Sequence, residues 1–219
     1  MTIKVVLLDW NGTVMDDVDV GHQACNHMLR YYGVSTVSKD RFRKTFEVPW
    51  LIFYERNGVP RERIDITKHQ NEFMKVYDHL SKKAKPKKNI RKLFEWLKKN
   101  RIFIGIISAH PEQSIRKDLK RHDLDQYLNV VVGERTYEES GTSENKKVES
   151  ALLGVKVSND EVLYVGDTTH DVSIGKRSGF IVVGVMNGWQ SRDAISKAKP
   201  DYLIDDMIEI IDIIKKLNE

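Results

Sequence analysis

Short, unbroken apolar runs alternate with amphipathic helical patterns along most of this chain, and that alternation constrains the fold more than any other feature. The runs are rich in β-branched residues and span 3–8, 102–107, 128–132, 161–165 and 180–185. Runs of this kind are typical of parallel strands that are covered on both faces. The helical patterns lie at 87–100, 111–122, 146–153 and 206–217, with a last strand at 201–204. We therefore predict a doubly wound α/β domain with a parallel sheet, in which Pro111 occupies the first turn of its helix.

The segment from 16 to 85 breaks the alternation, because it shows helical periodicity and no buried strand. Four helices are predicted there from the apolar residues Met28, Leu29 and Tyr32; Phe42 and Phe46; Leu51, Ile52 and Tyr54; and Phe73, Met74, Tyr77 and Leu80. The lysine-rich stretch 81–88 is predicted to be a hinge. We therefore expect a core domain formed by 1–15 and 86–219, with a helical cap domain, 16–85, inserted after the first strand.

Composition excludes several classes of function. Hydrophobic residues make up 40% of the 219 residues and charged residues 31%, as in a globular protein. The net charge is only +4, and no basic run is interleaved with aromatic residues, which argues against a nucleic-acid partner. No segment approaches the roughly 18 apolar residues of a membrane span. A single cysteine, Cys25, suits a reducing compartment, so we expect a cytoplasmic protein.

Polar residues follow three of the predicted strands at the points where those strands end. The sequences are DWNGT (9–13), SAH (108–110) and GDTTHD (166–171). Ligands of open parallel sheets bind beyond the carboxyl ends of the strands. Asp9, Asp167 and Asp171 would there offer three oxygen ligands, the kind that Mg²⁺ prefers. The alternative is that Asp167 and Asp171 only cap helices.

These residues resemble, in chain order, the four motifs of the haloacid dehalogenase superfamily. The motifs are DWNGT, the strand ending in Ser108, a lysine at the start of helix 146–153, and VGDTTHDVSIGKRSG. The insert resembles the C1 cap of the phosphoglycolate phosphatase-like branch. The resemblance implies a Rossmann-like core with a helical cap, and a magnesium-dependent hydrolase acting on a small phosphorylated metabolite. We expect a monomer or homodimer without a nucleic-acid or membrane partner.

The resemblance also implies a role for each site residue. Asp9 would be the nucleophile that forms an aspartyl-phosphate. Thr13, Ser108 and Ala109 would contact the phosphoryl group, and a lysine would neutralise its charge. The ligands of Mg²⁺ would be Asp9, the backbone carbonyl of Asn11, Asp167 and Asp171.

Two neighbouring lysines, Lys146 and Lys147, compete for the lysine role. The buried side of their helix is defined by Val148, Ala151, Leu152 and Val155. Lys147 lies nearer to that side, so it is the preferred residue. Lys146 stays an alternative, as does a pair of surface lysines without a role.

Asn11 departs from the pattern of the superfamily, where a second aspartate normally stands at this position. Asparagine keeps the backbone carbonyl but cannot transfer protons near neutrality. Losing a positioned acid–base group typically slows a reaction by about 10²- to 10⁴-fold.

Several functions are compatible with Asn11. The protein could be a phosphatase restricted to good leaving groups, or one that takes its acid–base residue from His110 or His170. It could be a phosphonatase-like hydrolase that uses a lysine of the insert as a Schiff base. It could also be a phosphate- or metabolite-binding protein with little turnover, and an engineered exchange of aspartate for asparagine is a further possibility. The candidates in the insert for this role are Lys39, Lys44, Lys68 and Lys75.

Overall fold

A parallel sheet of six strands forms the centre of the molecule. The computed structural model describes residues 2–134 and 144–219. Its strands are β1 (Val5–Leu8), β2 (Met15–Asp16), β3 (Lys85–Pro86), β4 (Phe103–Pro111), β5 (Val130–Glu134), β6 (Val162–Gly166), β7 (Ile181–Val185) and β8 (Tyr202–Ile204). The order in the main sheet is β5-β4-β1-β6-β7-β8, and all neighbours run parallel. The predicted fold class is confirmed.

Both faces of the sheet are covered, which explains why its strands lack polar alternation. All four residues of β1 are fully buried. Val6 and Leu8 belong to one apolar core, and Val5 and Leu7 belong to a second core on the opposite face. Successive side chains of a strand point to opposite faces, so a central strand with apolar cover on both sides must be continuously apolar.

Ten helices accompany the sheet in the part of the chain that the structure describes. They are α1 (Val18–Tyr31), α2 (Lys39–Thr45), α3 (Leu51–Arg56), α4 (Ile66–Ser81), α5 (Ile90–Lys99), α6 (Glu112–Arg121), α7 (Glu144–Ala151), α8 (Thr169–Arg177), α9 (Arg192–Lys197) and α10 (Glu209–Asn218). None of the described helices is long and apolar enough to cross a membrane.

Helices α1 to α4 lie between β2 and β3, in the segment that the sequence assigns to the insert. Met15 pairs with Pro86 and Asp16 pairs with Lys85 in a short antiparallel ladder. The chain therefore leaves the parallel sheet and returns to it at the same place. This pairing was not predicted, because two residues are too few to produce a strand pattern. The boundary of a separate cap domain at 16–85 remains a prediction.

The registers of the central strands bring the predicted site residues to one edge. Leu8 is level with Ile106 of β4 and with Val165 of β6. The amide of Asp9 donates to the carbonyl of Val165, at 2.9 Å. Asp9 and the residues after β6 therefore leave the sheet side by side.

Strand β4 is longer than predicted. It continues past Ile107 to Pro111, and its register with β5 shifts between these two residues. Pro111 has extended backbone angles (φ −58°, ψ 129°) and lies just before α6. The prediction that Pro111 occupies the first turn of the helix is wrong by one residue, because a φ near −60° suits an extended residue as well as a helical one.

Candidate active site

Three carboxylates meet at the carboxyl edge of β1 and β6. Asp9 follows β1, Asp167 follows β6, and Asp171 lies in the first turn of α8. One carboxylate oxygen from each lies within 4.8 Å of the others. The predicted acids are thus brought together, although 158 residues of sequence separate Asp9 from Asp167.

The carboxylates repel one another in a poorly solvated place. Burial, followed by the charges of Asp171 and Asp167, raises the pKa of Asp9 well above its usual value. Burial and the charge of Asp171 raise the pKa of Asp167 to about 7. A divalent cation between the three groups would remove this repulsion, and an all-oxygen donor set fits a hard cation such as Mg²⁺.

Asp167 is held by two donors and by close approach of the backbone. It accepts hydrogen bonds from the Thr13 hydroxyl (2.9 Å) and from the Trp189 amide (2.5 Å). A Cβ atom at Gly12 would lie 2.3 Å from the Asp167 carboxylate, and one at Gly188 would lie 2.2 Å from it. Gly12 also has a positive φ of 75°, a backbone conformation that favours glycine. Only glycine fits at these two positions.

Asp171 serves α8 and the carboxylate cluster together. Thr168 is the N-cap residue of α8 and forms a capping box with Asp171. One oxygen of Asp171 accepts from the Thr168 amide (2.9 Å) and hydroxyl (2.5 Å). The capping interpretation therefore holds for Asp171, but Asp167 does not cap this helix. Capping fixes the orientation that the cluster requires.

The side chain of Asn11 points into a buried polar network that the sequence did not predict. Its amide nitrogen donates to Asp17 (2.6 Å) and to the Tyr77 hydroxyl (2.7 Å). Asp17 is 1% exposed and also accepts from the Gly12 amide (2.8 Å), the Trp189 indole (2.8 Å) and the Tyr77 hydroxyl. Burial raises the pKa of Asp17, and its four donors oppose that shift. A carboxylate with four donors is thus adjacent to the asparagine.

Ser108 and Ala109 line one cavity together with Asp9. The cavity measures about 140 Å³, and Asn11 and His170 also line it. Ser108 is buried, and its hydroxyl accepts from the amide of His110 (3.1 Å). Ser108 therefore lies on the irregular end of β4, where the register with β5 shifts, and lines the same cavity as Asp9 and Asp171.

The two candidate lysines have different surroundings. Lys147 is 2% exposed and forms an ion pair with the buried Glu134 (2.6 Å), whereas Lys146 is exposed. Glu134 ends β5. The helical pattern therefore predicted correctly which lysine faces inward, while a catalytic role for Lys147 remains a prediction.

A family comparison identifies the chain. The profile of the haloacid dehalogenase-like hydrolases matches residues 6–185. The chain belongs to this family. The matched range includes the three carboxylates of the cluster, Ser108 and Lys147.

Individual proteins agree with this assignment. A pyrophosphatase PpaX of Bacillus mycoides is 25% identical over 223 residues and is covered completely, as is this chain. A predicted phosphatase from Clostridium acetobutylicum has a TM-score of 0.78 at 16% identity, covering 99% of this chain and 100% of its own. A predicted phosphoglycolate phosphatase from Haemophilus somnus has a TM-score of 0.73 at 16% identity, with coverage of 97% and 98%. At these identities, the solved structures support the fold alone.

Sequence reasoning missed three residues of this haloacid dehalogenase-like hydrolase site: Asp17, Tyr77 and Trp189. Asp17 stands next to Asp16, and a pair of acids at the start of a helix usually faces solvent. Tyr77 was predicted only as an apolar position of its helix. The signal that could have drawn attention to Asp17 is its distance of six residues from Asn11, within reach of one tight loop.

Proposed function

We propose that this chain is a magnesium-dependent phosphatase that acts on a small phosphorylated metabolite through an aspartyl-phosphate at Asp9. The observation that carries the proposal is the cavity that Asp9 shares with Ser108, bordered by Asp171. The name of one relative, a pyrophosphatase, supports the same class of reaction. A carboxylate beside a hydroxyl and three closely spaced acids suits phosphoryl transfer through a covalent aspartyl-phosphate.

Asp9, Asp167 and Asp171 would hold Mg²⁺ through carboxylate oxygens, and Asn11 would contribute its backbone carbonyl. When bound, the ion would supply positive charge next to the phosphoryl oxygens. The donor set fits, because the three side chains offer closely spaced oxygens and no nitrogen or sulfur.

In the first step a carboxylate oxygen of Asp9 attacks phosphorus, and the bond between phosphorus and the leaving-group oxygen breaks. In the second step water attacks the same phosphorus and releases Asp9 and inorganic phosphate. Ser108 and the backbone at Thr13 and Ala109 orient the phosphoryl group, while the Thr13 hydroxyl holds Asp167, and Lys147 offsets the charge of the phosphoryl group. Each step is easier than direct displacement by water.

Asn11 sets the limits of this chemistry. It cannot protonate a departing alkoxide or activate water, so the enzyme favours leaving groups that depart as stable anions. His170 lines the cavity, which supports it as the residue that would assist proton transfer. Burial lowers the pKa of His110 to about 4, which leaves it neutral and a weak base.

A phosphonatase-like reaction is not favoured. It would require a lysine of the insert in the cavity. Instead, the four candidates are exposed and paired with acids on the surface: Lys39 with Asp19, Lys44 with Asp40, Lys68 with Asp65 and Lys75 with Glu72.

The test is hydrolysis of acetyl phosphate and p-nitrophenyl phosphate with and without Mg²⁺, comparing the chain with Asp9→Ala. Asp212→Ala is the matched control, since Asp212 is 83% exposed on α10. We expect activity that needs Mg²⁺, disappears in Asp9→Ala and persists in Asp212→Ala. Phosphate binding without turnover would instead support a binding protein. Turnover that survives in Asp9→Ala would refute the proposed nucleophile.

A further inference from the structure

A second cavity adjoins the proposed phosphoryl site and extends toward α3 and α4. It measures about 210 Å³. Five residues line both cavities, which makes them neighbouring parts of one site: Asn11, Phe46, Val48, Ala109 and Trp189. A substrate whose phosphoryl group lies at Asp9 would place its leaving group here.

Rings from α3 and α4 and from the loop before α3 form the far wall of this aromatic pocket. The Trp50 ring stacks on the His69 ring, with centroids 4.3 Å apart and planes 13° apart. Tyr54 meets His69 edge to face at 4.4 Å, and Phe73 also lines the pocket. Aromatic rings pack favourably in offset and edge-to-face arrangements, so this wall suits a ligand that carries an aromatic ring.

The described residues that line the pocket offer no positive charge to a second anion. Among the described residues, no lysine or arginine lines it. Burial lowers the pKa of His69 and of His110 to about 4, so both rings are neutral at pH 7. The ionic side chain that does line the pocket is Glu134, whose partner is Lys147. A second phosphate or a carboxylate would lose its hydration there without gaining a counter-charge.

We propose that the substrate of this site is the phosphate monoester of a phenol with a single ring, and that α3, α4 and Trp50 select it. This rests on the proposed function and names its substrate class. The volume agrees, because a cavity of about 150 Å³ holds benzene and this one is moderately larger.

The chemistry of Asn11 points to the same substrates. When Asp9 attacks phosphorus, the bond to the aryl oxygen breaks and its electron pair leaves with a phenolate. A phenolate is stabilised by its ring, so it needs less protonation than an alkoxide. The water that then attacks phosphorus loses a proton to solvent, phosphate is released, and the phenolate takes up a proton in solution.

Calorimetric titration with phosphonates, which are not hydrolysed, separates binding from turnover. In the presence of Mg²⁺ we expect phenylphosphonate to bind about tenfold more tightly than methylphosphonate, since burying a ring is favourable. The ratio of the two affinities, phenylphosphonate over methylphosphonate, should fall to near one in Trp50→Leu and stay unchanged in Trp96→Leu. Trp96 is a matched control, because it is also half-buried but lies on α5, outside the pocket. Phe73→Leu replaces Trp50→Leu if the latter does not fold.

Turnover provides a second comparison. Phenyl phosphate should have a higher kcat/KM than pyrophosphate. Equal binding of the two phosphonates, or tighter binding of pyrophosphate than of phenylphosphonate, would overturn the substrate class. Neither result would contradict the proposed role of Asp9 as nucleophile, because the loss of hydrolysis in Asp9→Ala tests that role separately.

Discussion

At the scale of single residues, the pairing of Asn11 with Asp17 explains why asparagine is stable at this position. The two oxygens of Asp17 divide their donors: one accepts from the Gly12 amide and the Trp189 indole, and the other accepts from Asn11 and Tyr77. An aspartate at position 11 would place a second carboxylate 2.6 Å from the first, in a buried place. Like charges at that distance disfavour folding.

We therefore expect Asn11→Asp alone to lower the free energy of unfolding by about 1–3 kcal/mol. The exchange Asn11→Asp with Asp17→Asn should restore most of it, since the amide and the carboxylate only trade places. Thermal unfolding of both variants measures this coupling, and hydrolysis assays of the exchanged variant show whether a carboxylate at position 11 speeds turnover. If Asn11→Asp alone is as stable as the parent protein, this account of the hydrogen-bond network around Asp17 is wrong.

The buried His69 makes the free energy of unfolding depend on pH. Its pKa is lowered from 6.5 to about 4 by burial, whereas the unfolded chain keeps the ordinary value. The unfolded state therefore binds a proton first as the pH falls, and the stability contributed by neutral His69 is present above pH 6.5 and is lost between pH 6.5 and 4.

Lowering the pH from 7 to 5 should reduce the free energy of unfolding of the parent protein by about 2 kcal/mol more than that of His69→Phe. The phenylalanine keeps an aromatic ring against Trp50. Denaturant unfolding at both pH values gives the difference. His79→Gln is the control, since His79 is exposed on the same helix. The same acid sensitivity in His69→Phe and the parent would show that His69 is not the source.

At the scale of elements, strands and helices with strong periodicity were predictable, and short or irregular ones were not. The run at 3–8 ends on Asp9 because the buried strand ends there, so the position of the nucleophile candidate could be read from the sequence. The β2–β3 ladder and the extension of β4 to Pro111 could not, since tertiary pairing rather than local pattern determines them. Asp17 was missed for the same reason: its burial depends on Tyr77 and Trp189, which are distant in sequence.

The start of α8 connects helix stability with the proposed metal site. Thr168→Ala removes the hydroxyl that bonds Asp171, and should lower the free energy of unfolding by about 1 kcal/mol. Ser191→Ala removes the hydroxyl that caps α9 by accepting from the Ala194 amide, a bond in which no carboxylate of the cluster takes part, and should cost a similar amount. Only Thr168→Ala should weaken the stabilisation by Mg²⁺ that thermal unfolding detects. If Mg²⁺ stabilises both variants equally less than the parent protein, the hydroxyl of Thr168 does not support the proposed metal site through Asp171.

At the scale of the whole molecule, the sheet brings together groups that no local pattern connects. The register of β1 with β4 and β6 places Asp9, Ser108 and Asp167 at one edge, and helices α3 and α4 contribute the aromatic pocket beside it. The sequence predicted the edge, because strand ends carry the acids. It did not predict the neutral aromatic pocket, because residues from α1, α3, α4, β4 and β5 form it together.

The central claim, that Asp9 accepts a phosphoryl group, is tested most directly by mass spectrometry of protein quenched in acid during reaction with acetyl phosphate and Mg²⁺. Because Asn11 cannot activate water, the second step should be the slow one, and the phosphorylated form should accumulate. The account predicts a phosphoryl adduct on the peptide that contains Asp9, absent from Asp9→Ala. An adduct on another residue, or turnover without any adduct at Asp9, would contradict it.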